Sequence, residues 1–226
     1  MPAWGAGVAV GGFLVGTVLG SVAAALWVAV SGDRSGLNGY GAEIAGLIGL
    51  WVGLVGSAVV VAAPRGGLGP ALGLRFRPSD LPVGVAVGLL CQFPMVWALY
   101  LPVRLLAPRT YRHLGDAATQ MTRVAHGAGF VVLGALIAVG APIAEEIFFR
   151  GLFQRSLGAL YPSPVGVGAA AVFFGLAHFE ALQLLALVAF GIVLGALAHR
   201  SGRLGPGIVA HMTFNAATVV VLAGLR

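Results

Sequence analysis

The sequence predicts an all-α polytopic membrane protein, a bundle of about seven transmembrane helices within a range of six to eight. Three observations carry that prediction. Of the 226 residues, 59% are hydrophobic and only 9% are charged, where a soluble domain carries about 25% charged residues. The mean hydropathy is +0.98. Apolar runs near the length of a bilayer crossing, about 20 residues, recur along the whole chain. Soluble and disordered readings are excluded, because this little charge cannot cover a globule in water.

The apolar runs are Gly5–Val30, Ala42–Ala63, Leu81–Val103, Gly127–Phe149, Val165–Phe179, Leu182–Ala198 and Leu204–Leu225. The first has neither a basic leader nor a small-residue cleavage pattern, so it is expected to be a retained helix. The fifth and sixth are short and are separated by Glu180, Ala181 and Gln183, which suits two tight crossings or a partly re-entrant hairpin. Between the runs lie a Gly/Asn turn at Ser31–Gly41, a Gly/Pro/Arg loop at Pro64–Asp80 and a longer stretch at Arg104–His126. This last stretch is expected to lie in the interface as an amphipathic helix. No internal repeat is visible.

The net charge of +6 comes from thirteen arginines and no lysine. With the high Ala, Gly and Val content, this predicts a GC-rich, bacterial coding sequence. The arginines are scattered through short loops with no basic stripe, so they read as headgroup contacts and topology signals, not as a nucleic-acid surface. Alternate crossings put Arg65, Arg75, Arg77, Arg150, Arg155, Arg200 and Arg203 on one side and Arg34, Arg104, Arg109, Arg112, Arg123 and Arg226 on the other. The first side, with the N-terminus, is expected to be cytoplasmic. The single cysteine, Cys91, excludes an internal disulfide and a thiolate zinc cage, and reads as a small core residue.

Ionisable groups within apolar helices are costly and are therefore functional candidates. They cluster in the last third of the chain. In Glu145-Glu146-Ile147-Phe148-Phe149-Arg150, Pro142 just upstream is expected to kink the helix. Glu146 and Arg150 are four apart with the acid first, the favourable order for an ion pair, and read as a structural brace. Adjacent helical residues point about 100° apart, which leaves Glu145 aimed elsewhere as the candidate general base. The alternative is an interfacial acid pair neutralised by Arg150 and Arg155. Phe174 and His178 share a helix face, as do His211 and Asn215. Each pair alone is equally compatible with packing or with polar contacts between helices.

Taken together, a carboxylate, two imidazoles and an amide on neighbouring helices can activate a water and bind oxyanion charge. No Ser or Cys nucleophile is paired with them, so direct attack by water is expected. Phe149 and Phe174 are candidates to line the cavity or to pack beside it. His113, His126 and His199 lie outside these motifs and receive no catalytic role.

The three motifs in order resemble the CPBP family of intramembrane proteases, also called the CAAX protease and bacteriocin-processing or Abi family. Its pattern is EExxxR, FxxxH and HxxxN, and it includes the eukaryotic Ras-converting CAAX endopeptidase. The resemblance covers the chain from about Ala141 to its end. It implies a bundle with an intramembrane catalytic cavity, in which Glu145 and His178 activate water, His211 and Asn215 stabilise the oxyanion, and Glu146 and Arg150 hold the motif in shape. Residues 127–226 would form the catalytic core and 1–126 a set of accessory helices. The implied partners are a membrane-associated peptide or protein substrate and the bilayer of the cell membrane.

Family members are often labelled metalloproteases, and Glu145, His178 and His211 would be the ligands of a Zn2+ ion. The chain has no HExxH, and the expectation is that no cofactor is required. Two rival functions use the same residues: a transporter or proton relay, and a catalytically silent immunity-type membrane protein. One geometric condition follows from the spacing. At about 1.5 Å per residue, Glu145 and His178 each lie roughly 22 Å from the Tyr161–Pro164 turn, whereas His211 lies only about 10 Å from the Gly202–Gly205 turn. They meet only if the hairpin after Arg150 projects beyond its neighbours or the fifth and sixth segments are re-entrant.

Overall fold

The structure is a computed structural model that describes residues 4–32, 40–114, 116 and 128–224. Every regular element among them is helical. We number them α1 (Ala6–Ser31), α2 (Tyr40–Ala62), α3 (Leu68–Leu72), α4 (Asp80–Leu106), α5 (Pro108–Arg112), α6 (Gly129–Gly158), α7 (Ser163–Leu176), α8 (Leu184–Ser201) and α9 (Gly205–Gly224). Six of these, α1, α2, α4, α6, α8 and α9, are long and apolar enough to cross a bilayer, and α7 is a shorter apolar helix of 14 residues. The chain is thus a multi-pass helical membrane protein, with α7 as the short segment. Of the Arg104–His126 stretch expected to hold an amphipathic helix, residues 115 and 117–126 fall outside the described residues, as do Arg34 and Arg226.

Large apolar side chains face outward along the long helices, among them Val18, Leu26, Val60 and Leu106. That is the inverse of a soluble protein and suits hydrocarbon as the surrounding medium. Without a hydrophobic force between helices, close packing depends on small residues. A side chain on Gly53 of α2 would collide with the backbone of Gly16 in α1, so these two helices approach backbone to backbone.

The core is aromatic and draws on both halves of the chain. Phe13 of α1 packs edge-on against Phe173 of α7 at 5.1 Å and tilted against Phe148 of α6 at 6.4 Å. Trp4 Nε1 donates to the Leu152 carbonyl at 3.3 Å. Cys91 is buried against Phe190, Leu194 and Ala210, as a small core residue would be.

At one end of the bundle the α8–α9 turn is tied to the α3–α4 loop. The Leu204 N–H donates to the Gly73 carbonyl at 2.8 Å and the Gly205 N–H to Arg75 at 3.2 Å. Gly73 (φ 78°) and Gly202 (φ 68°) take left-handed turns that a side chain would strain. Asp80, 2% exposed, accepts from the Arg203 guanidinium and, at 2.8 Å, from the Arg77 backbone N–H. This acid–base pair was not singled out in the sequence, because its partners lie in different loops far apart along the chain.

The same end meets the geometric condition. Gly151 of α6 lies against Leu72 and Leu204, so α9 begins level with Gly151. The stretch from Gly151 to Gly158 then runs on past that level for roughly 10 Å at about 1.5 Å per residue. The hairpin after Arg150 projects, and it brings Glu145 and Glu146 to the depth of His211. Arg150 is 2% exposed, inside the bundle. It therefore leaves the arginine count of the first side, and the small charge asymmetry read from the sequence disappears.

Candidate active site

The helix that carries the acids is not a regular α-helix. Five-residue π turns occupy Leu136–Gly140 and Glu146–Phe153, with one α turn, Ala141–Glu145, between them. Such turns leave carbonyls without helical partners, and they concentrate at functional sites. The Ala141 N–H reaches back to the Leu136 carbonyl in this wide register. The next donor in the series would be residue 142, a proline without an N–H. The orphaned Ile137 carbonyl is met instead by Asn215 Nδ2 at 2.9 Å.

Glu146 is fully buried. Its Oε1 accepts from Arg150 Nη1 at 2.8 Å and from His211 Nδ1 at 3.0 Å. The spacing of four along the helix predicts the Arg150 contact, whereas His211 is 65 residues away and carries no such local signal. Arg150 Nη2 donates to the Gly191 carbonyl at 3.3 Å, and its guanidinium lies 4.3 Å over the Phe174 ring. One turn on, Gln154 Nε2 donates to the Gly195 carbonyl at 3.0 Å. Arg150 and Gln154 therefore clamp α6 to glycines four apart on α8. Gln154, Gly191 and Gly195 carried no motif signal.

Glu145 faces the other way and is partly exposed. Its side chain is 17% exposed, against 0% for Glu146. Glu145 Oε2 lies 3.9 Å from His178 Nε2 and 3.8 Å from His211 Nε2, and it has no hydrogen-bond partner. Both imidazoles are oriented from behind. His178 Nδ1 donates to the Phe174 carbonyl at 2.7 Å, which leaves the Nε2 lone pair toward Glu145. His211 is held by Glu146 through Nδ1 and boxed by Phe174 and Phe190, with ring centroids 5.7 and 5.3 Å away. Both imidazole Nε2 atoms thus lie near 4 Å from the same carboxylate oxygen, a spacing that a water at about 2.8 Å from each partner bridges.

Of the sequence candidates, Glu145, His178 and His211 come together, and Glu146 with Arg150 sits directly behind them. Asn215 makes its hydrogen bond to the α6 backbone. Phe174 touches both imidazoles, whereas Phe149 packs behind it, edge-on at 5.2 Å, and is 2% exposed. His113 pairs with Asp116 at 2.7 Å on an exposed turn, away from the site. The turn that carries His178 is strapped down by the Tyr100 hydroxyl, which donates to the Leu182 carbonyl at 2.7 Å, and by Gln183 Nε2, which donates to Leu114 at 3.3 Å. Next to His178, Phe179 takes a left-handed backbone conformation, φ 55°.

A tetrahedral zinc with donors at about 2.1 Å sets those donors about 3.4 Å apart. The separations from Glu145 to the two histidines are longer, and among the described residues no group of three His, Cys, Asp or Glu side chains forms a metal cage. Both separations from Glu145 suit a bridging water.

Residues 127–217 match the family model described as Rce1-like, type II CAAX prenyl endopeptidase Rce1-like. This part of the chain is similar to the Rce1-like family. The Rce1-like segment contains every residue of the three motifs and ends just beyond Asn215. No curated protein and no solved structure matches the chain. At family level this similarity supports an intramembrane endopeptidase.

Proposed function

We propose that the chain hydrolyses a peptide bond near the membrane surface with a water activated by Glu145 and His178. The observation that carries this reading is the placement of Glu145 Oε2, buried and without a hydrogen-bond partner, within 4 Å of both His178 Nε2 and His211 Nε2.

The water oxygen attacks the scissile carbonyl carbon while Glu145, assisted by His178, takes its proton. The carbonyl oxygen becomes an oxyanion. His211, held through Nδ1 by Glu146, turns Nε2 toward it. Collapse of the tetrahedral intermediate breaks the C–N bond, and the proton held by Glu145 passes to the leaving amine. Glu146 and Arg150 set the position of His211 and of the helix that carries Glu145. Asn215, expected from the resemblance to bind the oxyanion, is assigned a positioning role, because its amide is engaged with Ile137. No step needs a metal or another cofactor.

Residues 127–226 are the proposed catalytic part and residues 1–126 the accessory helices. The substrate is a membrane-associated peptide or protein of the CAAX type, and the location is the cell membrane. Quantitative proteomics of peptide termini in cells carrying the wild type or Glu145→Gln tests the reading. Uncleaved membrane peptides should accumulate with the variant, while its melting temperature in detergent stays close to wild type. Undiminished cleavage by a folded Glu145→Gln protein rejects it.

A further inference from the structure

A cavity of about 720 Å3 lies away from Glu145, where α6 and α8 end and α7 begins. Its wall includes Trp4, Arg65, Arg155 and His199, and its inner face is formed by Arg150 and Gln154. Arg150 is committed to Glu146, but Arg65 and Arg155 have no carboxylate partner among the described residues. Arg65 bonds the Val61 carbonyl and lies 5.1 Å over the Trp4 ring. Arg155 donates to the Gly202 carbonyl at 3.0 Å.

Of the chain's seven acids, the six among the described residues, Glu43, Asp80, Asp116, Glu145, Glu146 and Glu180, do not line this cavity. Asp80, at the same end of the bundle, is consumed by Arg203. Cationic groups in a partly enclosed, low-dielectric space without counter-charge are unfavourable, and an external anion relieves them. Gln154, 8% exposed, adds a buried Oε1 that lacks a donor, and a ligand hydroxyl would satisfy it.

We propose that this cavity holds the phosphate of an anionic glycerophospholipid headgroup. The shared chemistry is a phosphate met by guanidinium forks, which match its oxygens in pairs. Three observations select a lipid. The lining residues sit at helix ends with a tryptophan among them, as in the interfacial belt of membrane proteins. The exposed Leu160, Tyr161 and Val165 flank the lining residues Gly158, Ser163 and Gly166 and offer apolar surface for acyl chains. His178 lies past the far end of α7, about 21 Å of helix away, so a peptide held at Glu145 does not extend naturally into this cavity.

The test uses the full-length protein in phosphatidylcholine nanodiscs with and without phosphatidylglycerol, read by lipid retention in native mass spectrometry and by melting temperature. The wild type should retain phosphatidylglycerol and melt higher with it. Retention should fall about fivefold for Arg65→Gln and about 25-fold for Arg65→Gln/Arg155→Gln, the equivalent of about 1 kcal/mol per arginine at a lipid surface. Arg155 also bonds Gly202, so Arg65→Gln alone decides the matter if the double variant does not fold. Equal retention by wild type and Arg65→Gln overturns the proposal. So does an equal melting shift with inorganic phosphate alone, which would assign the cavity to a free anion. Displacement of the lipid by a short peptide with a free C-terminal carboxylate, but not by its amide, would assign it to a peptide and overturn the proposal as well.

Discussion

Asn215 Nδ2 donates to the Ile137 carbonyl at 2.9 Å, and this bond fills a gap that Pro142 leaves in the helix carrying Glu145. A side chain on the last helix thereby completes the main-chain hydrogen bonding of another helix, just upstream of the candidate base.

That relationship predicts a compensation. Asn215→Ala leaves a part-buried carbonyl unsatisfied and should destabilise the protein by about 1–3 kcal/mol. Pro142→Ala restores an N–H to the helix. In the Pro142→Ala background the cost of Asn215→Ala should shrink, measured by a double-mutant cycle on thermal unfolding. Strict additivity of the two changes would contradict the account.

The buried Glu146–Arg150 pair leads to a second expectation. Arg150→Ala strands the Glu146 carboxylate and should destabilise by about 3–5 kcal/mol. Glu146→Gln/Arg150→Met, which removes both charges at similar volume, should recover much of that stability without recovering cleavage, because His211 loses its anchor. Denaturation in detergent and a cleavage assay separate the two effects.

Gly195 provides a packing test. A methyl group there would press on Gln154 Oε1 and on Val167. Gly195→Ala should displace Gln154 from the Gly195 carbonyl and lower stability by about 1–3 kcal/mol, as overpacked positions do. An unchanged melting temperature would show that the clamp is not under tight contact.

Phe179 is 82% exposed and left-handed. A bulky residue there costs about 1–2 kcal/mol relative to one that adopts the conformation freely. Phe179→Gly should therefore raise or preserve the melting temperature despite the loss of a large apolar side chain. A marked drop would mean that Phe179 packs on something other than solvent or lipid.

The donor spacing around Glu145 carries the last prediction. Cleavage should persist after exhaustive chelation and dialysis. Stoichiometric zinc in purified protein, whose removal stops cleavage and whose return restores it, would replace the water site with a metal site at Glu145, His178 and His211.

The all-helical membrane class, the positions of the apolar runs, the Glu146–Arg150 pair and the three motifs were legible in the residues themselves. Composition and spacing of three or four act within one helix, and no distant partner is needed to read them. The His211–Glu146 contact, the Asn215–Ile137 bond, the Arg150 and Gln154 clamps on Gly191 and Gly195 and the Asp80–Arg203 tie were decided by tertiary structure alone. Each joins residues between 41 and 123 positions apart, and four of the five end on a backbone carbonyl or on a charge already assigned to another role. The helix register had the same origin. An apolar run with a proline is compatible with α or π turns, and the choice falls to whichever neighbouring helix supplies a donor for the carbonyl the proline leaves unpaired.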